Sequence, residues 1–419
     1  MQALVPRLLQ IRNRDEFRRV AALSSFAFLT AGAYVTCRTV ADTLFLDHVG
    51  PENLPTAHLV ATFTVVILTT LIHRVHLKLL GVLATQIILA AATAVLPLLP
   101  TAWYEHLPGL AYGFLYLLAQ LHGTAGMVLI TLLLQRCFHG DEPTRVFAVV
   151  GAGATIAAMA FGGVILTFVS TVGPLNLLLL VVALDVLAIL PPSLLSSDLS
   201  NKPPPAAQDK RPISQRQVNH KPPIVHAIIV LVMAKVAVLT LIEFQWKVAV
   251  FDAHIGEDAN VAQYFAGYYL SVNLITGFIQ LLLAGRFLQR FGITSALLVL
   301  PSSLVLGSVA VITVYTTYIP LWLATILKGS ESFRRGVNDP ALQLLFKSLP
   351  RGERQAAVTQ THGIAKPLSE LAAALLLQSV AATISPHDIS WVILLLSVFW
   401  FGAVSYVRKL LVADTRLPA

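Results

Sequence analysis

Oppositely charged residues four positions apart interrupt the apolar segments of this 419-residue chain. These pairs are Arg38 and Asp42, Glu243 and Lys247, Glu331 and Arg335, Arg335 and Asp339, and Lys366 and Glu370. Residues four apart lie on one face of an α-helix, where a cation and an anion can touch. A charge near the centre of a membrane-spanning helix costs about 2.5–3.5 kcal/mol on insertion scales. Such side chains therefore face a water-filled cavity or other helices, and they are candidates for binding a substrate or an ion.

The stretch KGSESFRRGVNDP, residues 328–340, has the highest density of these charges. Its charged residues are Lys328, Glu331, Arg334, Arg335 and Asp339. On an ideal α-helix Lys328, Arg335 and Asp339 project within about 40° of one another, and Glu331 lies about 60° away. Arg334 projects elsewhere and needs a partner of its own. The spacing predicts a charged stripe that faces a cavity, with Gly336 and Pro340 loosening the helix so that backbone groups join the site.

Most of the basic residues within the apolar segments lie in the C-terminal half of the chain. Such a cationic surplus suits an anion, because Arg and Lys bind phosphate and carboxylate oxygens. The alternative for each pair is an internal salt bridge that holds helices together or forms a gate. Buried ion pairs seldom give a net gain in stability, which argues against that alternative for all pairs jointly. Asp185 has no partner within its own segment, and we predict no role for it.

The composition places the chain among polytopic membrane proteins. Hydrophobic residues make up 56% and charged residues 12% of the chain, and its mean hydropathy is +0.75, whereas soluble proteins carry about 25% charged residues. The apolar segments are long enough for helices rather than barrel strands. Twelve spans are predicted, near 22–46, 55–75, 79–99, 107–137, 143–170, 174–196, 223–250, 261–284, 293–316, 319–347, 353–382 and 389–409.

A polar stretch rich in Pro, Lys and Gln divides these spans into two sets of six. The predicted organisation is a cytoplasmic N-terminal segment 1–21, a six-helix half 22–196, a linker 197–222, a second half 223–410 and a tail 411–419. The Lys and Arg residues outside the spans all fall in the termini, the linker and the loops on one side, so both termini are predicted to be cytoplasmic. This distribution explains the net charge of +8, and we expect no nucleic-acid partner. The plan is that of major-facilitator-type transporters, all-α proteins with two pseudo-symmetric halves.

Several stretches resemble the ATP/ADP translocase family, the nucleotide transporters of plastids and obligate intracellular bacteria. CRTVADTLFL (37–46) looks like the family's opening helix, and 115–138 and 142–159 are similar to its fourth and fifth helices. LIEFQWK (241–247) resembles its span-seven Glu and Lys element, and 328–370 resembles its signature around a basic helix and an Asp-Pro. The resemblance covers spans one to eleven through spaced motifs, and it implies a nucleotide exchanger with a major-facilitator-like fold.

The resemblance also implies a substrate site. The residues that match the family's functional positions are Arg38, Glu243, Lys247, Arg335 and Lys366. Gln120 stands where the family has a glutamate, Asp-Pro-Ala-Leu-Gln at 339–343 replaces Asp-Pro-Thr-Lys-Glu, and Lys-Pro-Leu-Ser replaces Gly-Lys-Ser-Gly around Lys366.

The residues and the resemblance together predict a secondary transporter, an exchanger of a phosphate-bearing anion such as ATP or ADP, in the bilayer of a bacterial inner membrane. The predicted anion-binding residues are Arg38, Lys247, Lys328, Arg335 and Lys366. The predicted charge partners, which hold these cations in the empty site or couple the cycle, are Asp42, Glu243, Glu331, Asp339 and Glu370. If protons are co-transported, Glu243 or Glu331 is the candidate carrier. We expect no metal and no cofactor.

The alternative hypothesis is a membrane scaffold that keeps the transporter fold, transports nothing and serves a partner protein. Gln120 and the apolar stretch ALQLLF (341–346) favour it over transport. A membrane-embedded enzyme has little support, because the sequence shows no nucleophile and base pair, no zinc spacing and no phosphate-binding loop.

Overall fold

The computed structural model describes residues 14–75, 79–99, 101–138, 142–195, 223–254, 258–314, 319–347, 349, 354, 357–358, 360–380 and 385–414. Throughout these ranges the regular structure is helical, with no strand, as predicted. The predicted linker 197–222, most of the predicted N-terminal segment 1–21 and residues 415–419 of the predicted tail lie outside the described residues.

The principal helices follow the predicted spans. They are α1 (Arg14–His48), α2 (Leu54–Val75), α3 (Leu79–Val95), α4 (Pro108–Cys137), α5 (Glu142–Val172), α6 (Leu178–Leu187), α7 (Pro223–Ala253), α8 (Asp258–Phe278), α9 (Gly285–Thr313), α10 (Leu321–Gly329), α11 (Lys366–Val380) and α12 (Ile389–Asp414). Shorter pieces extend or connect them, including a helix at Thr101–His106 before α4 and another at Leu190–Ser193 after α6.

In the part of the chain that the structure describes, eight helices are long and apolar enough to cross a membrane. The longest, Asn260–Thr313, breaks at Gly292, whose φ of 78° is accessible to glycine at little cost, so it covers predicted spans eight and nine. Predicted spans two, ten and eleven contain helices that are not among the eight. Span ten contains the charged stretch 328–340, and the helix within span eleven, Lys366–Val380, has only 15 residues. The chain is a multi-pass, all-α membrane protein.

The chain forms two compact units. Unit 1 contains the described residues of Met1–Val49, Thr64–Ile213 and Gly256–Ser271. Unit 2 contains those of Gly50–Phe63, Ser214–Ile255 and Val272–Ala419. The first part of α2 therefore belongs to unit 2, and the first part of α8 belongs to unit 1.

In unit 1, α1 packs against α4, α5 and α6. Its apolar side chains Val20, Leu23 and Phe26 share a buried cluster with Leu133 of α4 and Val150 of α5. Because α1 is enclosed by neighbouring helices, its C-terminal half, which includes Arg38 and Asp42, is buried. This enclosure allows a charged pair to lie at membrane depth without facing lipid.

In unit 2, α7 has the corresponding position. It packs against α10, α11 and α12, and α9 packs against α12 as well. Side chains such as Leu231, Val238 and Trp246 on α7 are buried. The helix that carries Glu243 and Lys247 thus packs against α10, which carries Lys328, and against α11, which carries Lys366 and Glu370.

The contact between α1 and α5 depends on a glycine. A Cβ atom added at Gly153 would lie 2.8 Å from the backbone oxygen of Ser24, whereas one added at Gly151 on the same helix would meet nothing within 4 Å. We expect Gly153→Ala to lower the free energy of unfolding by about 1–3 kcal/mol, because a backbone atom cannot move aside cheaply. Gly151→Ala is the matched control and should be neutral or stabilising by up to about 1 kcal/mol. Thermal unfolding of the two purified variants in detergent measures the difference, and equal stabilities would contradict the packing described.

Candidate functional site

The charged stretch 328–340 folds into consecutive helical pieces with different geometry. α10 ends at Gly329, Glu331–Phe333 is one α-helical turn, Arg334–Asn338 is a π-helical turn and Asp339–Lys347 is α-helical again. A π-helical turn closes its hydrogen bonds over five residues instead of four, and such turns occur frequently at functional sites. Because the π turn is wider, side chains beyond it do not follow the 100° spacing of an ideal α-helix.

Glu331 is the centre of an ion-pair network. Its Oε1 accepts hydrogen bonds from Nη2 of Arg334 and, at 2.7 Å, from Nη2 of Arg335. Its Oε2 lies 3.1 Å from Nζ of Lys328, and the Glu331 side chain is only 10% exposed. The ideal-helix spacing predicts that Arg334 projects away from this stripe, and that prediction is wrong. Residues three apart are neighbours on a helix, and the long side chain of Arg334 reaches Glu331. Three cations share one carboxylate here.

Glu243 on α7 extends this network. Its Oε1 lies 3.2 Å from Nζ of Lys247, and its Oε2 lies 3.6 Å from Nζ of Lys328. Lys328 thus bridges the carboxylates of Glu243 and Glu331, and its ammonium group lies 5.7 Å from the ring centroid of Trp246. Lys247 is 2% exposed and Glu243 is 30% exposed, so the lysine is enclosed while the carboxylate reaches open space.

Arg335 is held in place by polar groups of α8 and the residues after it. Its Nη1 donates to Oδ1 of Asn273 at 3.2 Å, and its carbonyl oxygen accepts a hydrogen bond from Nε2 of Gln280 at 3.0 Å. The π-helical turn approaches this neighbour closely at Gly336, where a Cβ atom would lie 2.5 Å from Cγ2 of Ile279. The guanidinium of Arg335 is nevertheless 36% exposed, so it is positioned but open to a ligand.

Asp339 pairs with Lys235, a partner that the four-residue spacing does not predict. The spacing predicts a pair with Arg335, but Oδ1 of Asp339 accepts a hydrogen bond from Nζ of Lys235 on α7 at 2.9 Å. The π-helical turn between Arg335 and Asp339 explains the difference, because it rotates the second residue relative to the first. Lys235 is 10% exposed and Asp339 is 44% exposed.

We expect Asp339→Asn to destabilise the protein by about 1–2 kcal/mol, because it leaves the enclosed ammonium of Lys235 without its carboxylate. The double variant Lys235→Met with Asp339→Asn should be more stable than Asp339→Asn alone, since the unpaired charge is then removed. Thermal unfolding in detergent tests both, with Asp388→Asn as a control at a carboxylate that is 56% exposed. Unchanged stability in Asp339→Asn would show that the Lys235 pair contributes nothing.

Lys366 and Glu370 form the pair predicted from their spacing, but a loose one. Nζ of Lys366 lies 3.8 Å from Oε1 of Glu370, and the Lys366 side chain is 51% exposed. The pair lies within electrostatic range of the ion-pair network around Glu331. Lys235 interacts with the charge of Lys366 and also with that of Arg334, a member of the network. Glu370 in turn interacts with the charges of Glu243 and Arg334.

We call Glu243, Lys247, Lys328, Glu331, Arg334 and Arg335 the Glu331 cluster. It contains four cations and two carboxylates, a net charge of +2. The flanking pairs Lys235 with Asp339 and Lys366 with Glu370 are each neutral and leave this excess unchanged. Of the cations in the cluster, the guanidiniums of Arg334 and Arg335 are the most exposed, at 29% and 36%. The arrangement can bind an anion through planar N–H donors that already point at a carboxylate.

The predicted residues Arg38 and Asp42 lie in unit 1. Nε of Arg38 donates to Oδ2 of Asp42 at 2.7 Å, and both side chains are buried. The guanidinium stacks over the ring of Tyr116 at 5.4 Å, and the hydroxyl of Tyr269 donates to Oδ2 of Asp42 at 3.4 Å. Gln120 is partly buried on α4. The other predicted binding residues, all in unit 2, belong to or flank the Glu331 cluster.

Asp185, for which the sequence suggested no role, pairs with His122. Nε2 of His122 lies 2.9 Å from Oδ2 of Asp185. The two residues are 63 positions apart on different helices, so no periodic pattern connects them. The sequence did not predict three further site residues, Arg334, Lys235 and Asn273. Only Arg334 had a signal in the sequence, the high charge density of 328–340.

Comparison with known proteins identifies the fold. No protein-family model matches the sequence, and no curated protein is similar to it at a significant level. Solved structures do match it. The nucleoside transporter NupG has a TM-score of 0.60 at 13% identity over 96% of this chain and 100% of that one. The POT family transporter PepTSo has a TM-score of 0.67 at 11% identity over 96% and 99% of the two chains.

A third similar structure is the inward-open conformation of the xylose transporter XylE from E. coli. Its TM-score is 0.58 at 11% identity, over 94% of this chain and 96% of that one. Identities this low carry the fold and not the substrate. The chain has the all-helical, major-facilitator-like fold of these transporters over nearly its full length.

Proposed function

We propose that this protein is a secondary transporter of phosphate-bearing anions, with ATP and ADP as its exchanged substrates, and that the Glu331 cluster binds the anion. The observation that carries the proposal is the net charge of +2 in a largely enclosed cluster, with two guanidiniums partly open. A site for a neutral substrate does not need this excess, and a purely structural network is usually balanced. Phosphate groups match the fork of N–H donors that Arg presents.

Exposure divides the cations into two groups. Arg334, Arg335 and Lys366 are open enough to contact a ligand. Lys247 and Lys328 are enclosed, at 2% and 10% exposed, and they hold the carboxylates of the cluster. Within the described part of the chain, Nε of Arg334 is a buried donor that has no hydrogen-bond partner. An incoming phosphate oxygen would satisfy it.

Binding then proceeds by exchange of partners. In the structure Glu331 holds Arg334 and Arg335 through its Oε1. A phosphate group carries more negative charge than a carboxylate, so it competes for the two guanidiniums and relaxes their bonds to Glu331. A ligand shifts a conformational equilibrium only by its differential affinity for the two states, and this exchange of partners provides such a difference. Glu243 holds Lys247 and Lys328, Asp339 holds Lys235, and Glu370 holds Lys366.

Arg38 of unit 1 stays a predicted anion-binding residue. It is paired with Asp42 and stacked on Tyr116, an arrangement from which a guanidinium can be released by a stronger anion. The proposed location is a bacterial inner membrane, with both termini in the cytoplasm. The fold supports a transport function. NupG is described as a nucleoside transporter, PepTSo as a POT family transporter and XylE as a xylose transporter.

The experiment is uptake of radiolabelled ATP, ADP and inorganic phosphate into proteoliposomes that contain the purified protein, with and without unlabelled counter-substrate inside. We expect uptake that is saturable and faster in the preloaded vesicles. Protein-free vesicles are the control for leakage. Uptake that is independent of preloading would overturn the exchange mode. No uptake of any of the three compounds by folded protein would overturn the proposed substrate class, and capture of a tightly bound partner protein would then support a scaffold.

A further inference from the structure

The His122 and Asp185 pair is a deeply buried pair of titratable side chains outside the Glu331 cluster and the Arg38 pair. His122 lies on α4 and Asp185 on α6, and the two residues are 3% and 1% exposed. Both helices pack against α1 within unit 1. Neither residue contributes to the anion site proposed above, so their presence at membrane depth needs a separate explanation.

The hydrogen bonds of the pair require one proton more than a neutral imidazole and an ionised carboxylate contain. Nδ1 of His122 lies 2.9 Å from the carbonyl oxygen of Leu118, and Nε2 lies 2.9 Å from Oδ2 of Asp185. Both neighbours are acceptors, whereas a neutral imidazole has a single N–H. Both contacts are satisfied only if the imidazole is doubly protonated beside a carboxylate, or if it donates to Leu118 and accepts from a protonated Asp185. In either form the pair has no net charge and contains one additional proton.

The titratable side chains that interact with His122 include Asp185 and Cys37 of α1. α3, which packs against α6, contains no titratable residue. Arg38, the next residue on α1, is bonded to Asp42, and Tyr116 on α4 lies under its guanidinium. Loss of the proton would therefore leave a carboxylate at 1% exposure with His122 as its basic partner.

We propose that the His122 and Asp185 pair is a proton-binding site, and that the proton it takes up and releases is the coupling ion of the transporter. The second half of this statement rests on the proposed function, whereas the first half does not. In the binding step a proton from water forms the bond to Nε2 or to the carboxylate, and in the release step the same proton returns to water. No other bond changes. In the proton-loaded form both hydrogen bonds of the imidazole, to Leu118 and to Asp185, are satisfied.

Release of the proton is coupled to the arrangement of the helices. While α1, α4 and α6 are packed as described, deprotonation would place a net negative charge in an apolar enclosure, which is unfavourable. A conformation that admits water or a cation between these helices removes that penalty. The pair therefore holds its proton while the helices are packed together and releases it when they separate. Coupling to a conformational cycle requires such a difference in proton affinity between two conformations.

The test has one measurement that needs no substrate. Infrared difference spectra of the purified protein in nanodiscs are recorded as the pH is raised from about 5 to about 9. We expect carboxyl and imidazole bands that titrate in the wild-type protein, that are absent in Asp185→Asn, and that are altered in His122→Gln. Asp185→Asn keeps the shape and a hydrogen-bonding oxygen, and the second variant decides the matter if the first does not fold. Spectra without such bands, or identical in wild type and both variants, would overturn the proton site.

The second measurement is ATP uptake into proteoliposomes with an imposed pH gradient. We expect the gradient to accelerate uptake by the wild-type protein and to have no effect on Asp185→Asn or His122→Gln. Equal acceleration in wild type and variants would overturn the coupling. If the wild-type protein takes up no ATP, the proposed function fails, while the infrared titration still establishes or refutes the proton site.

Discussion

Replacing Glu331 by glutamine is expected to lower the free energy of unfolding by about 3 kcal/mol or more. The carboxylate is 10% exposed and is shared by Lys328, Arg334 and Arg335. Without it, Arg334 and Arg335 lose the carboxylate of Glu331, while Lys328 keeps that of Glu243 at 3.6 Å. The repulsion among the three cations then adds to the loss of their hydrogen bonds. The measurement is thermal or denaturant unfolding of the purified variant in detergent.

Two further variants separate this explanation from a general effect of losing a carboxylate. Glu370→Gln removes a carboxylate that is 29% exposed and has one ion pair at 3.8 Å, so its expected cost is below about 1 kcal/mol. Adding Arg334→Gln to Glu331→Gln should recover part of the lost stability, because one unbalanced cation is removed. A Glu331→Gln protein as stable as Glu370→Gln would show that the Glu331 cluster does not hold this region together.

Arg335→Ala is expected to abolish anion transport while leaving a folded protein. The guanidinium is 36% exposed, donates to Glu331 at 2.7 Å and is fixed by Asn273. Its removal takes away a preorganised pair of donors to the substrate, but Glu331 keeps two other cations and the fold is retained. The measurement is counter-substrate-stimulated uptake, with folding checked by gel filtration.

Matched variants define what Arg335 contributes. Arg335→Lys keeps the charge but loses the planar fork, so uptake intermediate between wild type and Arg335→Ala is expected. Arg286→Ala removes an exposed arginine of α9 outside the cluster and should transport like wild type. Full uptake by Arg335→Ala would remove this residue from the substrate site.

Local spacing predicts the ion pairs within single helices well. Arg38 with Asp42, Glu243 with Lys247, Glu331 with Arg335 and Lys366 with Glu370 are all ion pairs in the structure. Each joins residues four apart, and the periodicity of a helix is enough to bring them together. The major-facilitator-like fold, which the lengths of the apolar segments and the distribution of Lys and Arg predict, is confirmed by the solved structures that match the chain.

Contacts between helices could not be predicted in the same way. Lys235 reaches Asp339 across two helices, and His122 reaches Asp185 across 63 positions. Such pairs depend on how helices pack and rotate, which a single sequence does not encode in any local pattern. The π-helical turn at Arg334–Asn338 adds a second cause, because it changes the direction of every side chain after it. The substrate identity and the ATP/ADP translocase resemblance stay predictions.

The most direct test of the central claim is calorimetric titration of ATP into the purified wild-type protein, Arg335→Ala and Arg286→Ala. If the Glu331 cluster binds the phosphate groups, wild type and Arg286→Ala will bind ATP saturably with similar affinity, and Arg335→Ala will bind it at least about tenfold more weakly, a loss of about 1.4 kcal/mol. Equal affinity in all three proteins, or no binding to folded wild-type protein, would contradict the account.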